Sequence, residues 1–325
     1  MIKLAYILAA SHSGSTLLSM LLSSHRQIAT IGELKLSSKA IGGLDRYRCS
    51  CGRFILECDF WKNIMEGMAG KGYEFDIANA GTDYREVESP FARRLLSSMV
   101  RGKFFENCRD AVLGLSAGCR KQLSQIHKRN AALVSTITEL SKAKVVVDSS
   151  KIGMRLKYLL KNPDLDIRVI RLIRDGRAVA LTYMNPADFA DAKEPALRGG
   201  GTGGDRSNER MTMEQAAYQW RRCMEEAEHI LKHLDRSQWI EAKYEDLCKD
   251  TEAVLSKLFM FLGLEPEERV KEFRSVEQHI IGNGMRLDKT SEVRLDERWR
   301  DVLGREDLRA FDRIAGEMNK KYGYL

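Results

Sequence analysis

Ser13-Gly14-Ser15-Thr16 is the first place in this chain where residue type and spacing suggest chemistry. Small side chains let a backbone wrap closely around an anion, and the hydroxyls of Ser15 and Thr16 add donors. Where such a loop opens a helix, the unpaired N–H groups and the dipole also favour a phosphate or sulfate. A nucleotide triphosphatase loop has the form Gly-x-x-x-x-Gly-Lys-Ser/Thr. This segment lacks the first glycine and the lysine, which argues against ordinary ATP or GTP hydrolysis. The competing reading is a polar strand-to-helix turn with serine as its cap. A second candidate is Arg174-Asp175-Gly176-Arg177-Ala178-Val179-Ala180-Leu181-Thr182. An arginine at a strand's end and a hydroxyl eight residues later on the following helix can grip one phosphate together.

Both segments depend on the elements around them. Leu4 to Ala10 is a continuous apolar run, the pattern of a central parallel strand covered on both faces, and Leu17 to Leu22 reads as a buried helix. Lys144-Val145-Val146-Val147 is a short strand, with Asp148-Ser149-Ser150 as a helix cap and helix continuing over Met154 to Leu160. Ile167 to Ile173 is a third strand, turning at Asp175-Gly176 into helix, and Trp239-Ile240-Glu241-Ala242 is a weaker fourth. Strands alternating with helices imply an α/β fold with a parallel sheet between two helical layers. Residues from about 86 to 141 look helical throughout. Thr212 starts a long helix, and the chain from Glu297 onward is helical again. The glycine-rich stretch at about 196–212 reads as a mobile lid or a plain linker.

The two loops, in this order, resemble the sulfotransferases that use 3'-phosphoadenylyl sulfate (PAPS), in particular a bacterial branch akin to carbohydrate and tyrosylprotein enzymes. The resemblance implies a three-layer parallel sheet of P-loop NTPase-like topology with helical insertions. It also implies that Ser13, Gly14, Ser15 and Thr16 hold the 5'-phosphosulfate, while Arg174 and Thr182 hold the 3'-phosphate. Thr182 replaces the family's usual serine but keeps the hydroxyl. Tyr244-Glu245-Asp246-Leu247 is similar to an element whose tyrosine lies near the adenine, and Gly282-Asn283-Gly284-Met285-Arg286 to a late segment that closes over the nucleotide, which makes Arg286 a binding candidate. Cys49-Ser50-Cys51-Gly52 with Cys58-x-x-Trp61 is similar to a pattern in a bacterial subset.

By the same resemblance Glu33, after Gly32, is the candidate base that takes the acceptor's proton, since a carboxylate in an apolar flank can have its pKa raised toward neutrality. A surface glutamate capping a nearby helix is its other reading. Lys151, 23 residues before Arg174, stands where a basic residue serves the reaction centre; it either stabilises the leaving oxygen or pairs with Asp148. His12 occupies the place of the usual Lys or Arg and could donate a hydrogen bond to the bridge oxygen. Sulfuryl transfer by in-line attack, leaving 3',5'-ADP, needs cations, donors and a base but no metal. Cys49, Cys51 and Cys58 lack paired C-x-x-C spacing and an obvious fourth ligand, so thiols or a local structural role are expected there.

Composition sets the outer bounds. A chain of 325 residues with 43% apolar and 30% charged residues can bury a substantial core. No composition break divides it, so one sulfotransferase-like domain over 1–325 is expected, with a helical insertion at about 86–141. Fifty-three basic against 46 acidic residues give +7, which favours anionic partners, but no basic aromatic face points to nucleic acid. No apolar run spans a bilayer, and seven scattered cysteines fit a reducing cytoplasm. The expected partner is a small-molecule or glycan hydroxyl, and the C-terminal helices could mediate a homodimer. A nucleotide-dependent kinase, or a nucleotide-binding protein without catalysis, are the alternatives.

Overall fold

The computed structural model describes residues 2–35, 47–77, 79–186, 210–266 and 269–325. β1 (Ile2–Ala9) runs straight into a phosphate-loop-like turn and α1 (Ser15–Leu22), and β2 (Ile28–Thr30) follows. Four helices come next: α2 (Asp59–Gly70), α3 (Pro90–Ser97), α4 (Lys103–Leu115) and α5 (Ala117–Ser141). Then β3 (Val145–Lys151), α6 (Gly153–Leu159), β4 (Leu165–Ile173) and α7 (Gly176–Met184) alternate. The last part holds α8 (Met213–Leu231), β5 (Trp239–Lys243), α9 (Tyr244–Lys249), α10 (Thr251–Leu262), α11 (Trp299–Val302) and α12 (Arg305–Lys321).

The five strands form one parallel sheet in the order β2-β3-β1-β4-β5. β1 is central because its apolar side chains can be covered on both faces. Leu4, Tyr6 and Leu8 enter a core shared with α2, α5 and α6, while Ala5, Ile7 and Ala9 enter another shared with α1 and α10. That alternation follows from the two-residue period of a strand. A third core, around Trp220 and Phe311, packs α7, α8 and α12 together. Helices thus flank both faces of the sheet, and the topology is α/β of the P-loop NTPase-like type.

Three local differences from the sequence reading stand out. Asp148-Ser149-Ser150 does not cap a helix: β3 runs through it to Lys151, and α6 starts after Ile152 with no side-chain cap. Asp148 is held instead by a buried arginine, described below. β2 has only three residues, too few to show a pattern, and is fixed by pairing with β3 from Ile28 to Thr30. The stretch at about 86–141 is helical but divided into three helices, with breaks that the sequence reading did not place. The proposed mobile loop at 196–212 lies, up to residue 209, outside the described residues.

Candidate active site

The carboxyl ends of β1 and β4 lie side by side, and the two candidate loops leave from them. His12 (φ 64°) and Gly14 (φ 87°) are both left-handed, which turns the chain sharply between β1 and α1. Only glycine fits at position 14, since a Cβ there would come within 2.5 Å of the Tyr244 ring. Gly14 is also the N-cap of α1, and no side chain caps that helix, so its first-turn N–H groups are those a helix leaves open to an acceptor. Ser13 Oγ is fully buried and has no hydrogen-bond partner among the described residues. A hydroxyl in that condition is costly unless an anion or water completes it. His12 packs edge-on against Tyr183, with ring centroids 5.0 Å apart.

Arg174, the first residue after β4, is 6% exposed and ties the two loops together. It donates to the His12 carbonyl (2.9 Å), to the Asp296 carbonyl (3.1 Å) and to Asp296 Oδ2 (2.9 Å), and it stacks over Tyr244 at 4.4 Å. Its Nε has no partner among the described residues. Burial would raise the Asp296 carboxyl, but Arg298 and Arg174 outweigh it and hold that group well below the usual carboxylate range. Asp296 therefore puts a full negative charge on the arginine. Thr182 is buried two turns into α7 and donates to the Ala178 carbonyl (3.1 Å). To donate to a phosphate it would have to turn away from that carbonyl.

Glu33 and Lys151 meet, which corrects two expectations. Lys151 Nζ donates to Glu33 Oε1 (2.5 Å), and Lys35 Nζ lies 3.0 Å from Glu33 Oε2. Burial pushes the Glu33 carboxyl up, but the two ammonium groups outweigh it and bring it down to about 2. The carboxyl is thus held ionised rather than raised toward neutrality. Lys151 does not pair with Asp148. Asp148 is fully buried and accepts from Arg155 Nε at 2.9 Å. The backbone at Lys151 is itself left-handed (φ 70°), so both candidate donors to the leaving oxygen, His12 and Lys151, sit in a conformation that costs a non-glycine residue energy.

A buried polar network sets this pair in place. Arg155 donates to the Thr82 carbonyl (2.7 Å) and Asn130 Oδ1 (2.7 Å), and Thr82 Oγ1 donates to the Leu34 carbonyl (2.6 Å). Asp148 Oδ1 accepts from the Leu34 N–H (3.3 Å), and Ser150 Oγ from the Lys35 N–H (3.1 Å). Residues 33–35 are thereby fastened to the end of β3. On the other side Gly32 (φ 85°) lies against Ile281, whose carbonyl oxygen a Cβ would meet at 2.0 Å.

Arg286 is almost fully buried and donates to the carbonyls of Gly282 (2.7 Å), Asn283 (3.2 Å) and Arg48 (2.5 Å) while stacking on Tyr47. Its guanidinium staples the 282–286 turn to the chain near Cys49. Gly282 in turn lies beside Thr16 of the phosphate loop. Beside this staple Cys49, Cys51 and Cys58 come together with His279, a fourth donor that sequence spacing does not reveal because it lies 221 residues beyond Cys58. An 870 Å³ cavity lies next to these cysteines rather than over residues 13–16, with Arg48, Arg53, Arg274 and Lys289 in its wall. Sequence reasoning also passed over Lys35, Asp296 and Arg155. Lys35 could have been found from its position two residues after Glu33; the other two carry no local signal.

Comparison with known proteins adds an independent result. A family description, "Sulfotransferase domain", matches residues 5–323. No curated protein matches. Among solved structures, similarity extends to the sulfotransferase domain of the Synechococcus PCC 7002 olefin synthase (14% identity, 96% of this chain and 94% of that one, TM-score 0.48). It extends also to the sulfotransferase domain of the curacin biosynthetic pathway (19%, 96% and 97%, TM-score 0.47) and to sulfotransferase STF9 from Mycobacterium avium (12%, 100% and 78%, TM-score 0.48). With the family match running from β1 to the end of the last helix, the chain belongs to the sulfotransferase domain family.

Proposed function

We propose that this transferase moves the sulfuryl group of PAPS to an acceptor hydroxyl and releases 3',5'-ADP. The observation that carries the reading is the junction of two anion-seeking groups: the open first turn of α1 with buried Ser13 Oγ, and Arg174, one side chain away through the His12 carbonyl. A donor with phosphate at both its 3' and 5' positions presents two anionic ends to such a pair. Tyr244, stacked on Arg174 and against Gly14, supplies an aromatic face between them for a base. Thr182 would join the same ligand by releasing the Ala178 carbonyl, while Arg286, committed to three backbone carbonyls, holds the 282–286 turn beside it.

The chain's own groups divide the chemistry. Glu33 accepts the acceptor's proton as its oxygen bonds to sulfur. The bond from sulfur to the bridging oxygen breaks, and its electron pair stays on the 5'-phosphate. His12 and Lys151 face the charge that develops there. Lys151 is shared: in the resting structure it neutralises Glu33, and on moving toward the leaving oxygen it would strengthen Glu33 as a base. Donor binding and base strength are thereby coupled. A carboxylate base suits an aliphatic hydroxyl of a carbohydrate, lipid-linked sugar or natural product, which needs more help in losing its proton than a phenol does.

The test is incubation with PAPS and a panel of alcohols and phenols, following 3',5'-ADP and sulfated product together. Glu33→Gln is expected to bind 3',5'-ADP like the wild type and to lose turnover by at least ~100-fold. Wild-type turnover in that variant removes Glu33 as the base. Nucleotide binding with no turnover on any acceptor makes the chain a binding protein.

A further inference from the structure

Cys49, Cys51, Cys58 and His279 lie at the edge of the 282–286 turn, apart from the reacting groups described above. Each offers one ligand atom, and the four atoms all lie within 4.8 Å of one another. Cys51 Sγ is 3.7 Å from Cys58 Sγ, and His279 Nδ1 is 3.3 Å from Cys58 Sγ and 3.7 Å from Cys49 Sγ. With Zn–S of ~2.3 Å and Zn–N of ~2.0–2.1 Å, a regular tetrahedron has S···S edges of about 3.8 Å and S···N edges of about 3.6 Å. These three edges match a tetrahedral zinc ion and the remaining three are no longer than 4.8 Å, whereas a disulfide needs its sulfurs ~2.05 Å apart.

The surroundings fit a ligand set as well. His279 Nε2, the nitrogen facing away from the sulfurs, lies 3.3 Å from Glu277 Oε1. A carboxylate there fixes the tautomer that leaves Nδ1 as the donor atom. The His279 ring is stacked face to face on Phe60, with centroids 4.3 Å apart, so its direction is set by packing. The Cys49–Gly52 turn is closed by Gly52 N–H donating to the Cys49 carbonyl (2.9 Å) and Cys49 N–H donating to the Arg53 carbonyl (2.9 Å). Ser50, between two of the sulfurs, donates to the Gln278 carbonyl (2.5 Å) and accepts from the Ile280 N–H (2.8 Å), which clamps the segment carrying the histidine onto the cysteine turn.

We propose that Cys49, Cys51, Cys58 and His279 form a structural Zn²⁺ site. On binding, the three thiols lose their protons to solvent and His279 Nδ1 gives its lone pair, with no redox change. Three thiolates and one imidazole fill a tetrahedron and leave no open position, so the ion holds structure and does not activate water. Soft sulfur donors in this geometry select zinc over magnesium or calcium. The ion joins the 49–58 segment to residues 278–286, and those residues lie against Gly32, Thr16 and Tyr47. It therefore fastens the wall of the candidate active site from behind.

The experiment is metal analysis and native mass spectrometry of the full chain purified with a thiol reductant, without chelator and with zinc in the growth medium. One zinc per chain is expected, released when the thiols are modified. Cobalt(II) added to the stripped protein should give the intense visible bands of a tetrahedral thiolate site. Cys58→Ser should lose the metal, and His279→Cys should keep it, separating loss of a ligand from loss of the fold. Glu277→Gln should weaken zinc affinity by about tenfold, the low end for an outer partner, because that carboxylate is largely exposed. A chain whose native mass is that of the bare polypeptide and whose cobalt spectrum stays octahedral would overturn the proposal. So would a Cys51–Cys58 disulfide in protein purified without reductant. None of these readouts depends on PAPS, so the site and the reaction stand or fall separately.

Discussion

Glu33 shows how far a residue's chemistry depends on neighbours its sequence position does not reveal. Flanked by Ile31 and Leu34 it reads as a carboxylate whose pKa is raised; held between Lys151 and Lys35 it is brought down to about 2. Because kcat/KM reports the free enzyme's groups, its pH profile is expected to show no acid limb from Glu33 between about pH 4 and 7. In Lys151→Met burial is opposed by one cation less, and the acid limb should move up by on the order of 1 pH unit. An unmoved profile in that variant would separate Lys151 from the base. Arg174 carries the second residue-scale prediction. Asp296 competes for it as an internal anion, so Asp296→Asn should tighten 3',5'-ADP by roughly tenfold, about 1.4 kcal/mol, as read by calorimetry. Weaker binding there would mean that Asp296 builds the site instead of blocking it. At this scale the kinds of residue were legible in the sequence, and their pairings were not.

Elements explain why those pairings are possible. β3 continues through Asp148-Ser149-Ser150 because Asp148 is committed to Arg155 and to the Leu34 and Ser150 N–H groups, not to a helix start. Polar residues in a strand's last turn look like a cap when only sequence is read. Arg155→Met leaves Asp148 buried without its cation, and it should cost ~3–5 kcal/mol in urea unfolding. A loss under ~1 kcal/mol would mean that the network is not a support for residues 33–35. The α6–α8 junction makes a pH-dependent prediction. Glu226 on α8 accepts from the Val100 N–H (2.6 Å) and packs where a Cβ on Gly153 would touch it. Burial raises its carboxyl to about 7 against the opposing Val100 N–H and Arg222. An unfolded Glu titrates near ~4.3, so the folded state binds the extra proton between ~4.3 and about 7. This contribution is full below ~4.3 and is lost as pH rises through 7, up to ~4 kcal/mol. Glu226→Gln should therefore raise Tm at pH 8 and leave it nearly unchanged at pH 5; equal shifts at both would exclude this titration. The long apolar or helical runs were legible as elements, but β2, three residues set only by its partner strand, was not.

At the scale of the whole molecule, the site is assembled from parts distant in sequence. β1 and β4 bring residues 12–16 to Arg174; β3 brings Lys151 to Glu33; the last helices close over α7 through Asn319, which accepts from the Gly176 N–H (2.9 Å). The two motifs were legible because each is local to one strand-to-helix turn. Asp296 and His279 were not, since each meets its partner across more than a hundred residues. Among the described residues no helix is long and apolar enough to cross a membrane. The central claim is that the two loops together select a nucleotide with phosphate at both 3' and 5' positions. Calorimetry of wild type and Arg174→Ala with 3',5'-ADP, 5'-AMP and ATP tests it directly. Wild type should prefer 3',5'-ADP, and Arg174→Ala should weaken that ligand at least ~10-fold while leaving 5'-AMP nearly unchanged. Equal losses for both ligands, or a wild-type preference for ATP, would contradict it.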